Sequence, residues 1–183
     1  MYKKITNSSA VRSQKSVSAA LIELMNEMPY EDITVTDICQ KACVVRKTFY
    51  RNFNAKGDVV QYILDDAFKL FSSTLDLSHT DIRNILEKIY THIKEKGKFI
   101  VLLVQNGLVR FVQKTMVDFI NAEKLYEKLK AQNIKEEHLK YLSTQIAVIF
   151  VGMVETWAET GFVETPNELA EITRDLMYGK FYD

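Results

Sequence analysis

Apolar residues recur along most of the chain at the three- and four-residue spacings of one helical face. In the first such stretch, Val17, Leu21, Leu24 and Met28 follow one another at intervals of four, three and four residues, and Pro29 comes next. This spacing predicts an amphipathic helix over residues 9–28 that ends at the proline. No segment alternates apolar and polar residues with the period of two that a half-buried strand requires. The pattern therefore predicts an all-α protein.

The same spacing, read with the turn and capping residues, predicts about nine helices. Gly161 is expected to end the eighth helix, and Pro166 is expected at the first position of the ninth. The predicted helices cover residues 9–28, 36–42, 45–52, 58–75, 81–95, 99–105, 108–131, 135–160 and the stretch from 166 onward. We divide the chain into an N-terminal three-helix domain, residues 1–57, and a C-terminal helical bundle, residues 58–183.

Composition supports a helical protein that folds in water. The chain has 183 residues, of which 47% are hydrophobic, with only two prolines and six glycines. The first twenty residues contain no apolar core of a signal peptide, and the longest apolar run, residues 146–154, is far below the roughly 20 residues that span a bilayer. We therefore expect a cytoplasmic protein without a membrane segment.

The charge is distributed unevenly although its net value is zero. Residues 1–57 contain nine Lys and Arg against five Asp and Glu, a balance of +4, whereas the remainder contains 15 against 19, a balance of −4. Residues 38–57 include five basic side chains and no acidic one. A basic end on an acidic body suits a protein that contacts phosphate with one end only.

The predicted helix 45–52 presents two contrasting faces. Because each residue turns about 100° around a helix, Phe49 and Phe53 share a face, which we place inward. Lys47 and Arg51 then point nearly opposite, Thr48 and Tyr50 flank them, and Arg46 lies at the N-terminus of the helix. Arginine reads guanine in the DNA major groove, and Lys, Thr and Tyr bind phosphate, so this face suits a groove-reading helix. The alternative is a solvated cationic face on a short structural helix.

The order of residues around this helix resembles the helix-turn-helix of the TetR family of bacterial regulators. The resembling run covers residues 33–58, and the positions in register are Ala42, Val44, Thr48, Phe49, Tyr50, Phe53 and Lys56. The resemblance implies that double-stranded DNA is the partner. It places Arg46, Lys47 and Thr48 at bases and Thr36, Tyr50 and Lys56 at phosphates, and we add Arg51 and Asn52.

Two residues depart from the family pattern. Cys43 stands at the turn glycine and Val45 stands where a hydroxyl residue usually caps the recognition helix. Only glycine adopts positive φ without strain, so either Cys43 is strained or the turn is reshaped. A valine side chain has no oxygen to accept the capping hydrogen bond. A redox switch between Cys39 and Cys43 is conceivable, but we favour a packing role for both.

The C-terminal part shows no catalytic pattern. Its histidines are scattered, and the sequence contains no phosphate-binding glycine loop, nucleophile elbow or pair of metal ligands at helical spacing. We expect no enzyme activity, no cofactor and no metal.

The apolar stretch 146–154 predicts a second subunit. A helix that is apolar on all sides must be covered on more than one side, and Leu169, Ile172 and Leu176 form a second apolar stripe. By the TetR resemblance we expect a homodimer built on an intersubunit four-helix bundle, and hence a palindromic operator. The interface residues predicted are Ile146, Phe150, Val154, Leu169, Ile172 and Leu176.

The family resemblance also implies a sensor of small molecules. Candidate lining residues of a pocket for a small apolar or amphipathic effector are Phe99, Leu103, Gln105, Phe111, Met116, Phe119, Tyr141, Gln145 and Trp157. The alternative is that these aromatic residues are ordinary core. Residues 141–176, with Trp157 and Gly161, resemble a TetR subgroup that includes the activator of dihydroxyacetone kinase operons.

Three functional hypotheses remain from the sequence. The first is a homodimeric repressor of nearby genes that a small-molecule effector releases, with residues 58–75 as the mechanical link. The second is a TetR-like coregulator or activator controlled by a partner protein. The third is a helical interaction module that does not bind DNA.

Overall fold

The computed structural model describes Tyr2 and residues 8–72, 81–122 and 135–179. This part of the chain contains helices and no strand, which confirms the all-α prediction. The helices are α1 (Ser8–Glu27), α2 (Val35–Lys41), α3 (Arg46–Asn52), α4 (Lys56–Ser72), α5 (Ile82–Glu95), α6 (Gly97–Gln105), α7 (Val109–Ala122), α8 (Glu136–Glu159) and α9 (Pro166–Met177). The linker predicted at residues 76–80 and the end of the predicted helix 108–131 lie outside the described residues.

The chain divides into two compact units, Met1–Lys69 and Leu70–Asp183. The sequence-based division at residue 57 falls near the start of α4, whereas most of α4 belongs to the first unit. Within this unit α1 packs against α2 and α3. The predicted inward face of α1 is buried at Val17, Leu21 and Leu24, so the helical spacing identified the core side correctly at these three positions. Met28, the fourth residue of the predicted stripe, lies just beyond the end of α1 and is 37% exposed.

In the second unit α9 packs along α5, and α8 packs against α6, α7 and α9. An aromatic cluster lies at the centre of this packing. The ring of Tyr90 stacks on Phe150 at 5.4 Å and meets Trp157 edge-on at 5.7 Å, measured between ring centroids. The Tyr90 hydroxyl lies 2.7 Å from the Thr173 hydroxyl, and burial raises the pKa of Tyr90. These contacts fix α5, α8 and α9 in one core.

Helix α8 is long and apolar enough, by length and composition, to cross a membrane. Several of its side chains, however, are buried inside the unit, including Leu139, Ala147 and Phe150. A core helix of a folded helical bundle can have the same composition, and α8 packs against α6, α7 and α9.

The ends of α8 and α9 follow their sequence signals. Gly161 has φ of +78°, and the backbone amide of Phe162 donates to the carbonyl of Trp157 at 2.8 Å, which closes the last turn of α8. Thr165 forms a capping box with Glu168, and Pro166 occupies the first position of α9. Both predicted boundaries are therefore confirmed.

Candidate nucleic-acid interface

A capping box fixes the start of α2. The Thr34 hydroxyl accepts from the Asp37 amide at 3.2 Å, and the Thr34 amide donates to the Asp37 carboxylate at 2.8 Å. Hydrogen bonds from the side chain and backbone of Thr34 lower the pKa of Asp37. Thr34 is therefore the N-cap of α2, and Thr36 is exposed on the first turn of the helix.

The turn between α2 and α3 keeps its left-handed residue although that residue is a cysteine. Cys43 has φ of +52°, its amide donates to Gln40, and the Val44 amide donates to the Cys39 carbonyl at 3.0 Å. This is the hydrogen-bond pattern of a Schellman motif, which usually ends in glycine. Of the two alternatives raised by the sequence, Cys43 adopts the strained conformation and the turn is not reshaped.

The two cysteines have different surroundings. Cys39 is buried and Cys43 is exposed. Burial raises the pKa of the Cys39 thiol, with a smaller opposing effect of Arg46, so Cys39 is a poor nucleophile. Its environment is that of a small packed hydrophobe.

Helix α3 begins without a side-chain cap. Val45 occupies the N-cap position, makes no capping hydrogen bond, and is 69% exposed. Its carbonyl accepts from the amides of Thr48 and Phe49. The first turn of α3 is therefore held by its backbone and by what the helix packs against, and the capping hydroxyl expected from the family pattern is not replaced.

The inward and outward faces of α3 lie as helical rotation predicted. Phe49 and Phe53 are fully buried, with ring centroids 5.7 Å apart. The Phe53 ring also packs edge-on against the ring of Tyr62 on α4. Lys47 and Arg51 are exposed on the opposite face. Two buried aromatic rings thus orient a short helix that has little stability of its own.

Asn52 does not belong to this outward face. Its side chain is fully buried, and its amide nitrogen donates to the Thr48 carbonyl at 2.8 Å. The sequence interpretation includes Asn52 in the DNA-contacting set, and its burial beside Phe49 and Phe53 argues against that role. We leave it out of the contact set proposed below.

The five cations of residues 38–57 fall into two groups. Lys41 is paired with α1, at 2.7 Å from Glu27 and 3.4 Å from Glu23. Lys56 donates to backbone carbonyls before α2. The remaining three, which lie on α3 with exposed side chains, are Arg46, Lys47 and Arg51. The sequence did not predict the ion pairs of Lys41 or the hydrogen bonds of Lys56, because the partners of both lysines are distant in the chain.

Tyr50 and Thr48 flank these three cations. Tyr50 is partly exposed, packs edge-on against Phe49 at 5.4 Å, and lies 6.0 Å from the Arg46 guanidinium, measured to the ring centroid. Thr48 is half-buried. A rigid aromatic hydroxyl and a threonine hydroxyl beside three cations form a surface suited to phosphate and base edges.

The candidate pocket residues occupy different environments. Leu103, Met116 and Phe119 are buried, and Phe99 and Phe111 are half-buried. Trp157 belongs to the aromatic cluster of α5 and α8, and its indole nitrogen donates to the Glu164 carbonyl at 3.1 Å. The three remaining members, Gln105, Tyr141 and Gln145, are not buried. The nine residues therefore do not form one buried lining within the chain.

The candidate interface residues divide in a similar way. Phe150, Val154 and Leu169 are buried within the chain itself, so they leave almost no surface for a second subunit to cover. Ile146 and Leu176 are half-buried, and Ile172 is 38% exposed. The most exposed apolar side chains of α8 are Tyr141, at 67%, and Val148, at 47%, which sequence periodicity did not single out.

A helical chain whose first unit carries a helix-turn-helix with an exposed cationic face is typical of transcriptional regulators that bind DNA. Residues 80–179, more than half of the chain, match a TetR family described as the transcriptional regulator C-terminal region. The chain belongs to the TetR family of transcriptional regulators.

Known relatives agree with this assignment. The chain is 32% identical over 59 residues to the dhaKLM operon transcriptional activator DhaS of Lactococcus lactis subsp. lactis (strain IL1403), a match that covers 32% of each protein. A TetR regulator from Streptococcus agalactiae 2603V has a similar fold, with a TM-score of 0.64 and 18% identity over 92% of this chain and 95% of that one.

Two further solved structures share the fold. The dihydroxyacetone kinase operon activator DhaS gives a TM-score of 0.57 at 18% identity, covering 92% of this chain and 95% of that one. The fatty acid degradation regulator FadR from Bacillus halodurans gives 0.59 at 17% identity, covering 97% of both chains. At these identities the likeness concerns the fold alone.

Proposed function

We propose that the chain binds double-stranded DNA through the outward face of α3 and thereby regulates transcription. The observation that carries this proposal is the exposed triad of cations on α3, Arg46, Lys47 and Arg51, opposite two fully buried phenylalanines. Buried Phe49 and Phe53 hold the helix axis, so the three cations project from a rigid support.

The contacts divide by chemistry. Arg46, Lys47 and Thr48, which begin α3, are assigned to base edges, where a bidentate arginine contributes about 1–3 kcal/mol of discrimination. Thr36 and Tyr50 are assigned to phosphates. Arg51 adds charge at the end of the helix, where it strengthens association without specifying sequence.

The functional unit of this proposal is a homodimer. The positions 141, 145, 148 and 152 recur at four, three and four residues along α8, and all four are exposed, with Tyr141 and Val148 as the apolar members. A Cβ added at Gly152 would meet nothing within 4 Å, so a partner helix has room to approach there. Ile172 on α9 is a further exposed apolar side chain. This face replaces the buried residues named from the sequence.

The first experiment selects the DNA. Purified protein would be incubated with a random-sequence duplex pool at moderate salt, and bound molecules would be sequenced over successive rounds. We expect a twofold-symmetric sequence whose half-sites are about one helical turn, or a multiple of it, apart. Enrichment of no sequence, with a dimer shown to be folded, would contradict the proposal.

The second experiment tests the dimer face. Val148→Glu places a charge on the exposed stripe, and Val163→Glu is a matched control, since Val163 is 75% exposed on the loop before α9. Light scattering is expected to give a dimer for the wild type and the control, and a monomer for Val148→Glu. A dimer in all three would remove this stripe from the interface.

The direction of regulation has two candidates. The first is a repressor of nearby genes released by a small apolar or amphipathic effector, for which Phe99, Leu103, Phe111, Met116 and Phe119 are the remaining candidate lining residues. The second is an activator or a coregulator controlled by a partner protein, which the activator name of the L. lactis relative favours. Both candidates place the protein in the cytoplasm with the DNA.

A reporter gene behind the selected sequence separates these candidates. Lower reporter output in the presence of the regulator gene indicates repression, and higher output indicates activation. Mass spectrometry of the small molecules released when the purified protein is denatured then tests for a bound metabolite. A metabolite supports the effector mechanism, whereas co-purification of a second protein supports the coregulator mechanism.

A further inference from the structure

Three backbone carbonyls converge on the Lys56 ammonium group. Its Nζ atom donates to the carbonyl of Tyr30 at 2.6 Å, of Glu31 at 2.8 Å and of Ile33 at 2.8 Å. The same nitrogen lies 4.4 Å from the centroid of the Tyr30 ring. The backbone before α2 therefore surrounds the side chain of Lys56, which is the first residue of α4.

This arrangement uses the full donor capacity of the lysine. An ammonium group has three N–H donors and no acceptor, and each donor here has a carbonyl partner. A phosphate oxygen would have to displace at least one of these short bonds. A closer contact with DNA would displace more of them, and it would leave the released carbonyls without the cation that they now share.

The position of Lys56 in its own helix supports the same interpretation. A cation in the first turn of a helix opposes the helix dipole, and such a placement is usually unfavourable. The three carbonyl groups supply the negative partial charge that compensates for it. The aromatic face of Tyr30 adds a cation–π attraction. A lysine at this position is thus explained by the turn it holds.

The turn that Lys56 holds leads directly into the helix-turn-helix. Ile33 precedes Thr34, the residue whose capping box fixes the first turn of α2. The Ile33 side chain is fully buried, and its amide donates to the Tyr30 carbonyl at 3.3 Å. Lys56 therefore fixes the backbone from which α2 starts, and α2 packs against α3.

From these contacts we infer that Lys56 is a positioning residue for the helix-turn-helix, in place of the phosphate contact that the family resemblance implies. It acts by tying the Tyr30–Ile33 backbone to the start of α4. The inference rests on the proposed DNA binding, because the consequence of misplacing α2 is read out as DNA affinity.

The test uses two substitutions of Lys56, one that keeps its charge and one that removes it, to distinguish a positioning role from a phosphate contact. Lys56→Arg keeps the charge but replaces a compact ammonium with a planar fork that does not fit three converging carbonyls, whereas Lys56→Met removes the charge and keeps the aliphatic stem. The full-length variants would be titrated with the duplex selected by the wild type, over a range of salt. The measured quantities are the affinity and its dependence on salt.

A positioning role predicts that both variants bind DNA on the order of tenfold more weakly, because a smaller fraction of the molecules holds the turn before α2 in the conformation that binds DNA. The salt dependence of log K should stay at the wild-type value in both, since the same number of phosphates is neutralised. Backbone hydrogen exchange over residues 30–38 should become faster in both. A phosphate role predicts the reverse: Lys56→Arg binds like the wild type, and Lys56→Met reduces the salt slope by roughly 0.9.

An amine-acylation experiment on the wild type provides a test that does not depend on the variants folding. Lys56 should react much more slowly than the exposed Lys47 in the free protein, and DNA should protect Lys47 while leaving Lys56 unchanged. Fast acylation of Lys56 that DNA suppresses would overturn the inference. Failure of the wild type to bind any duplex would instead overturn the proposed function, so the two failures are distinguishable.

Discussion

The substitution Cys43→Gly isolates the strain in the turn between α2 and α3. Cys43 has φ of +52° and its side chain is exposed, so removing the side chain sacrifices little packing. Glycine adopts this conformation without steric penalty. Cys43→Ala is the matched control, because it removes the thiol and retains the Cβ atom that causes the strain.

The expected magnitude follows from two opposing contributions. A left-handed conformation is unfavourable for a residue with a Cβ atom by about 1–2 kcal/mol. Glycine gives the unfolded chain more conformational freedom, which lowers stability by about 0.4–1 kcal/mol. The difference predicts that Cys43→Gly raises the free energy of unfolding by roughly 0.5–1 kcal/mol, whereas Cys43→Ala should leave it nearly unchanged.

The assay is urea unfolding followed by far-ultraviolet circular dichroism, with reductant present. The midpoint should rise for Cys43→Gly at an unchanged slope, since the surface exposed on unfolding is the same. Gly161→Ala provides the converse, because Gly161 has φ of +78° and an added Cβ there would create the strain. Equal midpoints for the glycine and alanine variants at position 43 would refute the strain argument.

Three further predictions concern caps, core and pH. Thr165→Ala should lower the free energy of unfolding by about 1 kcal/mol through loss of the α9 capping box, measured by urea unfolding. Phe49→Ala should lower it by roughly 3–5 kcal/mol and abolish DNA binding, because a fully buried ring is removed. The pKa of Asp37 is lowered by Thr34, so its contribution is present above its ordinary pKa of 3.8 and is lost as pH falls through the lower folded value. The stability difference between wild type and Asp37→Asn should therefore shrink in acid, and a difference that stays constant with pH would contradict the capping role.

Local signals predicted most of the fold. The spacing of Val17, Leu21 and Leu24 identified the buried side of α1, and Gly161 and Pro166 marked where α8 ends and α9 begins. These features depend on residues near one another in the chain. The orientation of α3 was predictable for the same reason, since two phenylalanines four residues apart define a face by geometry alone.

Features that depend on distant partners were not predictable. In the sequence Lys41 and Lys56 belong to one group of cations. In the fold Lys41 forms ion pairs with acidic groups on α1, and Lys56 donates to backbone carbonyls before α2. In α8 the sequence is apolar on several sides, so periodicity did not distinguish Phe150, which packs in the core, from Val148, which is exposed. Which apolar side faces the core depends on the packing of neighbouring helices, and that information is spread over the whole unit.

The most direct test of the central claim is the salt dependence of DNA affinity in two charge variants. Lys47→Ala/Arg51→Ala removes two exposed cations of α3, whereas Lys41→Ala removes a lysine already paired with Glu27 and Glu23. On the duplex selected by the wild type, we expect the α3 variant to bind more weakly and to reduce the slope of log K against log salt by about 0.9 for each phosphate that is no longer neutralised. The Lys41 variant should keep the wild-type slope. Equal slopes for the wild type and the α3 variant would show that DNA is bound elsewhere.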